Sequence, residues 1–439
     1  MTGKGLICKL GQHTPIEAAD NIVQVDMFGE TIITQKNTPE GTIGILFDME
    51  TCLSHEYASL HNMYRHSGLN YDKTVKGYLE DDRRIRAVRL KGVKCSALFM
   101  PLNLNVKPAL SLGQEIDQIA GVKICEKYIS KKTQQSILNR EGKVKENIAP
   151  TFKEHFDTDQ WGRNSHLIKD GNLVIITEKL HGTSGRCGYL QIDTKDKISK
   201  WKLFLDKLIW GNKAFYKSYE FVVGSRRVIK SISEQEHGNK EHFYETDLWT
   251  STSKEYFEGK LKKGETVYFE IVGYTPEGSL IMSSVSNSKL KNFLSKKEYE
   301  KFINMYGQTT YFTYGTDKTY KVFVYRITRT NEDGDTIDLS WDQVKTRCEQ
   351  LAVDHAPELS RFITDTNYVS HLETATEQLV NKLTNSESNM FPEHIKEGVC
   401  IRVENGSLTP KILKSKSFIF KVLEGIVKDT NTVDIEESN

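Results

Sequence analysis

The 439-residue sequence contains no run of about 18 apolar residues, so no membrane-spanning helix is expected. Its first residues, MTGKGLICKLGQ, carry no secretory h-region. Cysteine is sparse and scattered. Seven residues (Cys8, Cys52, Cys95, Cys125, Cys187, Cys348, Cys400) are odd in number and never spaced C-x-x-C. Disulfide scaffolds and zinc ribbons are therefore not expected, and a reducing, cytoplasmic setting is the simplest reading. Charge of one sign is also missing. With 60 basic and 59 acidic side chains the net is +1, which excludes a histone-like polycation but not a local basic groove. No internal repeat or strong low-complexity tract occurs. Lysine and asparagine richness suits an AT-rich genome, such as that of a virus.

What is present suits a globular chain of two or three domains: 38% hydrophobic and 27% charged residues. Residues 1–104 read as β-rich. Leu6–Leu10, Ile22–Met27, Glu30–Thr34 and Thr42–Phe47 are short apolar or β-branched runs, punctuated by Phe28-Gly29 and Pro39-Glu40-Gly41. A fifth run, Ile85–Leu90, follows a polar loop over 50–82. Five short strands fit an OB-like β-barrel, a common nucleic-acid platform. The span 83–94, RRIRAVRLKGVK, holds Arg83, Arg84, Arg86, Arg89, Lys91 and Lys94. They read equally as phosphate contacts or as a charged edge strand. Residues 105–150 read as a helical linker, with patchy helical spacing over Leu112–Ile137.

From 151 to 425 the strands are longer and end in chemically pointed residues. In the first, Leu173, Ile175, Thr177 and Lys179 share a face by period 2. A lysine at the end of an apolar row is partly desolvated, which favours the neutral amine that nucleophilic attack needs. A snorkelling strand-end lysine is the plainer reading. The stretch runs on as Thr177-Glu178-Lys179-Leu180-His181-Gly182. Ile198–Trp210 reads as helical. Tyr219–Val223 leads to Gly224-Ser225-Arg226-Arg227, whose arginines suit a phosphate or ribose, or a surface turn. In Thr266–Gly273, Glu270 falls among apolar neighbours and needs a partner, such as a ribose hydroxyl or an ion pair. In Tyr320–Ile327, Phe323 and Tyr325 share a face and could stack on a base or simply fill the core. Helices are expected over Ser340–Ala352 and Tyr368–Leu383. Glu397 precedes the strand Gly398–Val403 and could serve Mg²⁺, or cap a turn. Lys414 and Lys416 share a face with Ile412, Phe418 and Phe420. An anion between the two lysines, or a solvent-exposed edge, would explain them.

The order K-x-H-G, G-S-R-R, F-E-I-V-G, F-V-Y-R-I, E-G-V-x-I-R, K-x-K-S over 179–418 resembles the motifs of covalent nucleotidyltransferases, the polynucleotide ligases and capping enzymes. RNA ligases match best, because His181 replaces the usual aspartate of K-x-D-G and the β-rich segment comes first. IRAVRLKGV, SALFMPL and HFDT at 155–158 look like the RNA ligase 5 family. The resemblance implies an α+β protein: an N-terminal OB-like β-barrel (1–104), a linker (105–150), an ATP-grasp-like adenylyltransferase domain (151–425) and an acidic tail (426–439). Apparent insertions lie around 195–218 and 231–262.

It also implies roles. Lys179 would become adenylylated and Glu270 would contact the ribose. Tyr325 or Phe323 would stack on the purine. Glu397 would serve the metal, and Lys414 and Lys416 the α-phosphate. Arg226 or Arg227, with Glu178, His181 and Gly182, would complete the nucleotide site. The cofactors implied are ATP and Mg²⁺ (or Mn²⁺). The partners implied are RNA ends or a nicked duplex with a 5′-phosphate and a 3′-OH, with no membrane and no obligate protein partner. The competing readings are a DNA ligase, a capping-type enzyme and a catalytically silent RNA-binding repair scaffold.

Overall fold

Two antiparallel sheets meet along a seam, and the strand that ends in Lys179 passes directly from one to the other. The structure, a computed structural model, describes residues 3–17, 19–49, 51–102, 110–141, 149–193, 217–233, 235–236, 244–364, 372–388 and 391–429. The expected helix Ile198–Trp210 lies outside them. The smaller sheet runs in the order Asp159–Gln160, Lys411–Lys416, Gly398–Glu404, Leu173–Lys179, Glu358–Ile363. Only the Asp159–Gln160 pairing is parallel. The larger sheet is centred on Lys217–Ser225, Thr183–Asp193, Glu265–Gly273 and Tyr320–Thr330, paired antiparallel in that order.

Period 2 explains how the sheets join. In Leu173–Lys179, Ile175 packs with Cys187, Val223, Phe269 and Val324 of the larger sheet. Val174 and Ile176 face the other way, into a core with Trp161, Val380, Val399 and Ile401. The inward face thus runs from Leu173 and Ile175 to Thr177 and Lys179. Apolar burial fixes its register, since a one-residue slip would turn every side chain over.

One buried ion pair braces this frame. Glu265, fully buried at the start of its strand, takes a bidentate pair from Arg347 on the helix Trp341–Leu351, both contacts 2.8 Å. Ser340 caps that helix with a full capping box. Glu265→Ala leaves the Arg347 guanidinium buried without its counter-charge. Destabilisation of roughly 3–5 kcal/mol is expected. Urea unfolding measures it, and an unchanged midpoint would refute the role.

The leading segment forms a sheet ordered Glu115–Ile116, Gly5–Lys9, Ile43–Asp48, Ala97–Pro101, and a second of Thr14–Pro15, Ile22–Met27 and Glu30–Gln35. They share a core that includes Leu6, Val25, Ile32, Leu46 and Phe99. Among the described residues neither sheet closes on itself. Three expectations need correction. The helix read over Leu112–Ile137 is confined to Lys131–Glu141; short strands up to Cys125–Lys127 precede it. Positive φ at Gly113, Ala120 and Gly121 breaks any helix there, overriding the patchy spacing. The run Ile85–Leu90 is a strand only over Val88–Leu90, one arm of a hairpin to Val93–Cys95. Lys91 and Gly92, both at positive φ, make its two-residue turn. Finally, Phe418 and Phe420 do not extend the lysine-bearing strand. They open the helix Phe418–Asp429, which also carries the chain past residue 425.

The leading sheets are pinned against the Lys411–Lys416 edge. Arg163, on the short helix Trp161–Asn164, reaches Asp48 at 3.0 Å, Glu115 at 3.1 Å and the Lys4 carbonyl at 3.1 Å. Gly162 lets the chains touch: a Cβ there would lie 1.7 Å from the Phe28 carbonyl oxygen. Lys421 pairs with Glu30, and Arg84 donates to the Gly425 carbonyl.

Candidate active site

The lysine turn is held from three sides. The Gly182 N–H donates to Glu270 Oε1 at 3.0 Å, and the Ser184 hydroxyl to Oε2 at 2.9 Å. The His181 N–H donates to the Tyr314 hydroxyl at 2.7 Å. Gly182 has no room for a side chain, because a Cβ would sit 2.2 Å from the Ile271 carbonyl oxygen. The His181 ring stands edge-on to Phe312 and Phe420, at 4.6 and 4.8 Å between centroids.

Two cross-strand rows build the floor. Lys179 pairs with Gly398, and Gly398 with Lys416; one step back, Thr177 pairs with Cys400, and Cys400 with Lys414. Glu397 sits just before the first row, with its side chain only 2% exposed. Its Oε1 is 2.9 Å from Lys179 Nζ and 3.4 Å from Lys416 Nζ. Lys416 is also 2.8 Å from Glu424 Oε2. Glu397 Oε2 is buried without a hydrogen-bond partner, 3.9 Å from His181 Nδ1. A buried carboxylate oxygen without a donor is costly, and a cation would satisfy it. No cluster of three His, Cys, Asp or Glu occurs among the described residues, so a cation here would depend on water or phosphate for most of its ligands.

Above this floor a cleft encloses about 990 Å³ of atom-free space, partly open to solvent. Lys179, Glu270, Phe323, Tyr325, Arg226, Lys414 and Lys416 line it. Tyr325 stands at a β-bulge, the extra residue between the pairs Phe269–Val324 and Tyr268–Arg326. It meets the His155 ring edge-on at 5.1 Å. Arg326 approaches His155 Nδ1 at 3.5 Å; a guanidinium only donates, so Nδ1 accepts and Nε2 carries the proton. Burial, then Arg326, pushes the His155 pKa well below the usual histidine value, keeping the ring neutral. Arg226 reaches the cleft and pairs with Asp157 at 2.7 Å.

A seam between two sheets, with Lys179, a buried glutamate and two further lysines on one side and Glu270, Phe323 and Tyr325 on the other, has the polar groups, aromatics and space to hold a nucleotide. The RNA ligase family model matches residues 172–423, more than half of the chain, from the strand of Lys179 to that of Lys416. The chain belongs to the RNA ligase family. A search of curated proteins returns no match. Among solved structures, this ligase is similar to the Naegleria gruberi RNA ligase with PPi, at 17% identity and TM-score 0.55, covering 95% of this chain and 97% of that one. A lysine-to-alanine variant of the same protein with ATP and Mn is similar at 17% identity and TM-score 0.54, covering 97% and 99%. At these identities the likeness is one of fold.

The structure brings most of the sequence-derived site residues of this ligase together and separates some. Glu270 accepts from Gly182 and Ser184 while still lining the cleft. Of the two arginines, Arg226 reaches the cleft and Arg227 is exposed. Phe323 is 1% exposed and packs with Leu180 and Phe391, whereas Tyr325 is only partly buried. Glu178 lines the cleft, but its carboxylate accepts from Ser388 at 3.0 Å, and burial raises its pKa. The basic span 83–94 is largely occupied within the protein. Arg84 is buried, Arg86 forks onto Asp82, Arg89 donates to the Leu294 carbonyl and Lys94 pairs with Glu298.

Sequence reading missed His155 as a cleft residue, although it opens the HFDT segment, and missed Ser184, Cys400 and Arg402. Cys400 lies across the register from Thr177, which period 2 already places on the Lys179 face.

Proposed function

We infer that this RNA ligase is ATP-dependent and works through a lysyl-AMP at Lys179. The observation that carries the reading is the shared position of Lys179 and Lys416 on Glu397, in a cleft walled by Glu270 and Tyr325. The Naegleria relatives solved with ATP and Mn, or with AMP and Mn, support the choice of nucleotide. Glu397 is the residue that would hold a divalent cation, and the orphaned Oε2 fits that role. Such an ion would supply charge stabilisation at the phosphates.

The chain's own residues do the rest. Tyr325 offers an aromatic face to the purine, and Glu270 is placed to accept from a ribose hydroxyl. Lys179 Nζ, as the neutral amine, forms a bond to the α-phosphorus as the bond to the pyrophosphate oxygen breaks, and the proton the nitrogen sheds leaves to solvent through the open cleft. Lys414 and Lys416 meet the negative charge that grows on the nonbridging oxygens. AMP then passes to an RNA 5′-phosphate, and a 3′-OH displaces it to seal the strand.

The finer assignment is to the RNA ligase 5 type, with an OB-like leading module. Its support is the two leading sheets on one core and their seat beside Lys416. Strands up to Cys125–Lys127 pair with this module. These pairings support extending the leading module from residue 104 to about 127, at the expense of the 105–150 linker. The substrate is an RNA end or nick.

The test is incubation with Mg²⁺ and α-labelled ATP or GTP, then with nicked RNA and nicked DNA. Label from ATP and sealing of RNA are expected. Label from GTP alone would mark a capping-type enzyme, sealing of DNA alone a DNA ligase, and no label with either nucleotide a silent scaffold.

A further inference from the structure

The basic residues singled out in the sequence are mostly consumed in joining the leading module to the rest of the chain, yet the joint itself is strongly basic. The hairpin Val88–Cys95 docks through Arg89 and Lys94 on Leu294 and Glu298. Around that contact, residues 287–301 hold five lysines and two glutamates, in a chain whose net charge is only +1. Local structure turns all five lysines outward. The 3-10 helix Asn287–Asn292 buries Leu290 and leaves Lys289 and Lys291 exposed. Ser295 and Glu298 form a capping box that starts the helix Lys296–Tyr306, which buries Phe302 and exposes Lys296, Lys297 and Lys301. Lys91, at the hairpin tip, is exposed beside them. One of the two glutamates, Glu298, is taken by Lys94, which holds its carboxyl down to about 2.

Like charges gathered this way repel one another and weaken the fold, so an anionic partner would relieve a cost the chain carries without it. The segment that carries these lysines shares a core with the site. Leu290 and Leu294 belong to the same apolar cluster as Leu180, which follows Lys179, and Phe420, which flanks His181.

We propose that the lysines of 289–301, with Lys91 across the joint, bind the phosphodiester backbone of the RNA substrate. This rests on the RNA-ligase reading above and names the surface that holds the strand. Contacts to phosphates carry no base information, so binding here is indifferent to sequence and strongly salt-dependent. Because the hairpin belongs to the leading module, that module would contribute to RNA binding through its docking geometry rather than through most of its own arginines.

Adenylylation by ATP needs no RNA, which separates this surface from the nucleotide site. The experiment compares wild type, the quadruple variant Lys289→Ser/Lys291→Ser/Lys296→Ser/Lys297→Ser and its all-arginine counterpart. Lysyl-AMP formation should stay within about twofold in all three. Affinity of the serine variant for a nicked RNA duplex should fall at least about tenfold. The slope of log K against log salt should flatten by roughly 0.7–0.9 for each phosphate that is no longer neutralised. The arginine variant should bind like wild type. Unchanged RNA affinity and salt slope in the serine variant would overturn the proposal. So would loss of adenylylation with RNA affinity intact, which would put the lysines in the nucleotide site. So would retained RNA binding alongside abolished binding to phosphatidylserine vesicles, which would make this a membrane surface. If wild type adenylylates but neither binds nor seals RNA, the RNA-ligase reading fails instead.

Discussion

Lys179→Ala is expected to leave no label on the protein after incubation with Mg²⁺ and α-labelled ATP. The expected loss is on the order of 10⁴-fold or more, the scale seen when a covalent nucleophile is removed. The physical case has three parts. Lys179 ends the face that buries Ile175 between the sheets, so its direction is fixed by core packing. The turn after it is tied down by Glu270 and Tyr314, so the backbone cannot swing the amine away. No substitute is available, because Lys414 and Lys416 lie on a different strand, and Lys416 is already shared between Glu397 and Glu424. Folding should survive, since the Lys179 side chain is 20% exposed and its loss leaves no large cavity. Retained label on the alanine variant would reassign the nucleophile.

Glu397→Gln is expected to slow adenylylation roughly 10²–10³-fold, a loss typical of removing one preorganised charged group. The substitution keeps the shape and deletes the charge. Lys179 and Lys416 then face a neutral amide where they had shared a carboxylate. Breaking a buried ion pair costs about 3–5 kcal/mol when one charge is stranded. Here the cost falls at or below the lower end, because Glu424 still holds Lys416 and Lys179 keeps some solvent contact. The chemical effect should therefore exceed the structural one. Adenylylation kinetics beside a urea midpoint separate the two. A near-wild-type rate, or a rate loss fully matched by unfolding, would remove Glu397 from the mechanism.

The two halves of this site differ in how visible they were. The lysine strand was legible because period-2 alternation and an abrupt turn are local properties. The same is true of Glu270, a carboxylate among apolar neighbours, though its partners include the lysine turn's own Gly182 and Ser184. The pairing of Glu397 with Lys179 was not legible, since nothing local links residues so far apart in the chain. The partners of the basic span 83–94 were hidden for the same reason. Its charge could be counted, but its partners Leu294, Glu298 and Gly425 lie in another part of the chain. In 112–137 the spacing suggested helix, and positive φ at Gly113, Ala120 and Gly121 decided against it.

By itself the sequence determined the order of the chemical groups along the chain, the strands that carry them and the reaction class. These follow from side-chain chemistry and from alternation that apolar burial enforces. The tertiary structure decided what each group meets: which arginine enters the cleft, where a bulge aims Tyr325, and that Glu397 binds two lysines at once. It also decided that Arg84, Arg86, Arg89 and Lys94 meet partners within the protein, while all five lysines of 289–301 are exposed. Those outcomes depend on which distant strands become neighbours, and that is settled by packing of the whole chain, not by any local pattern.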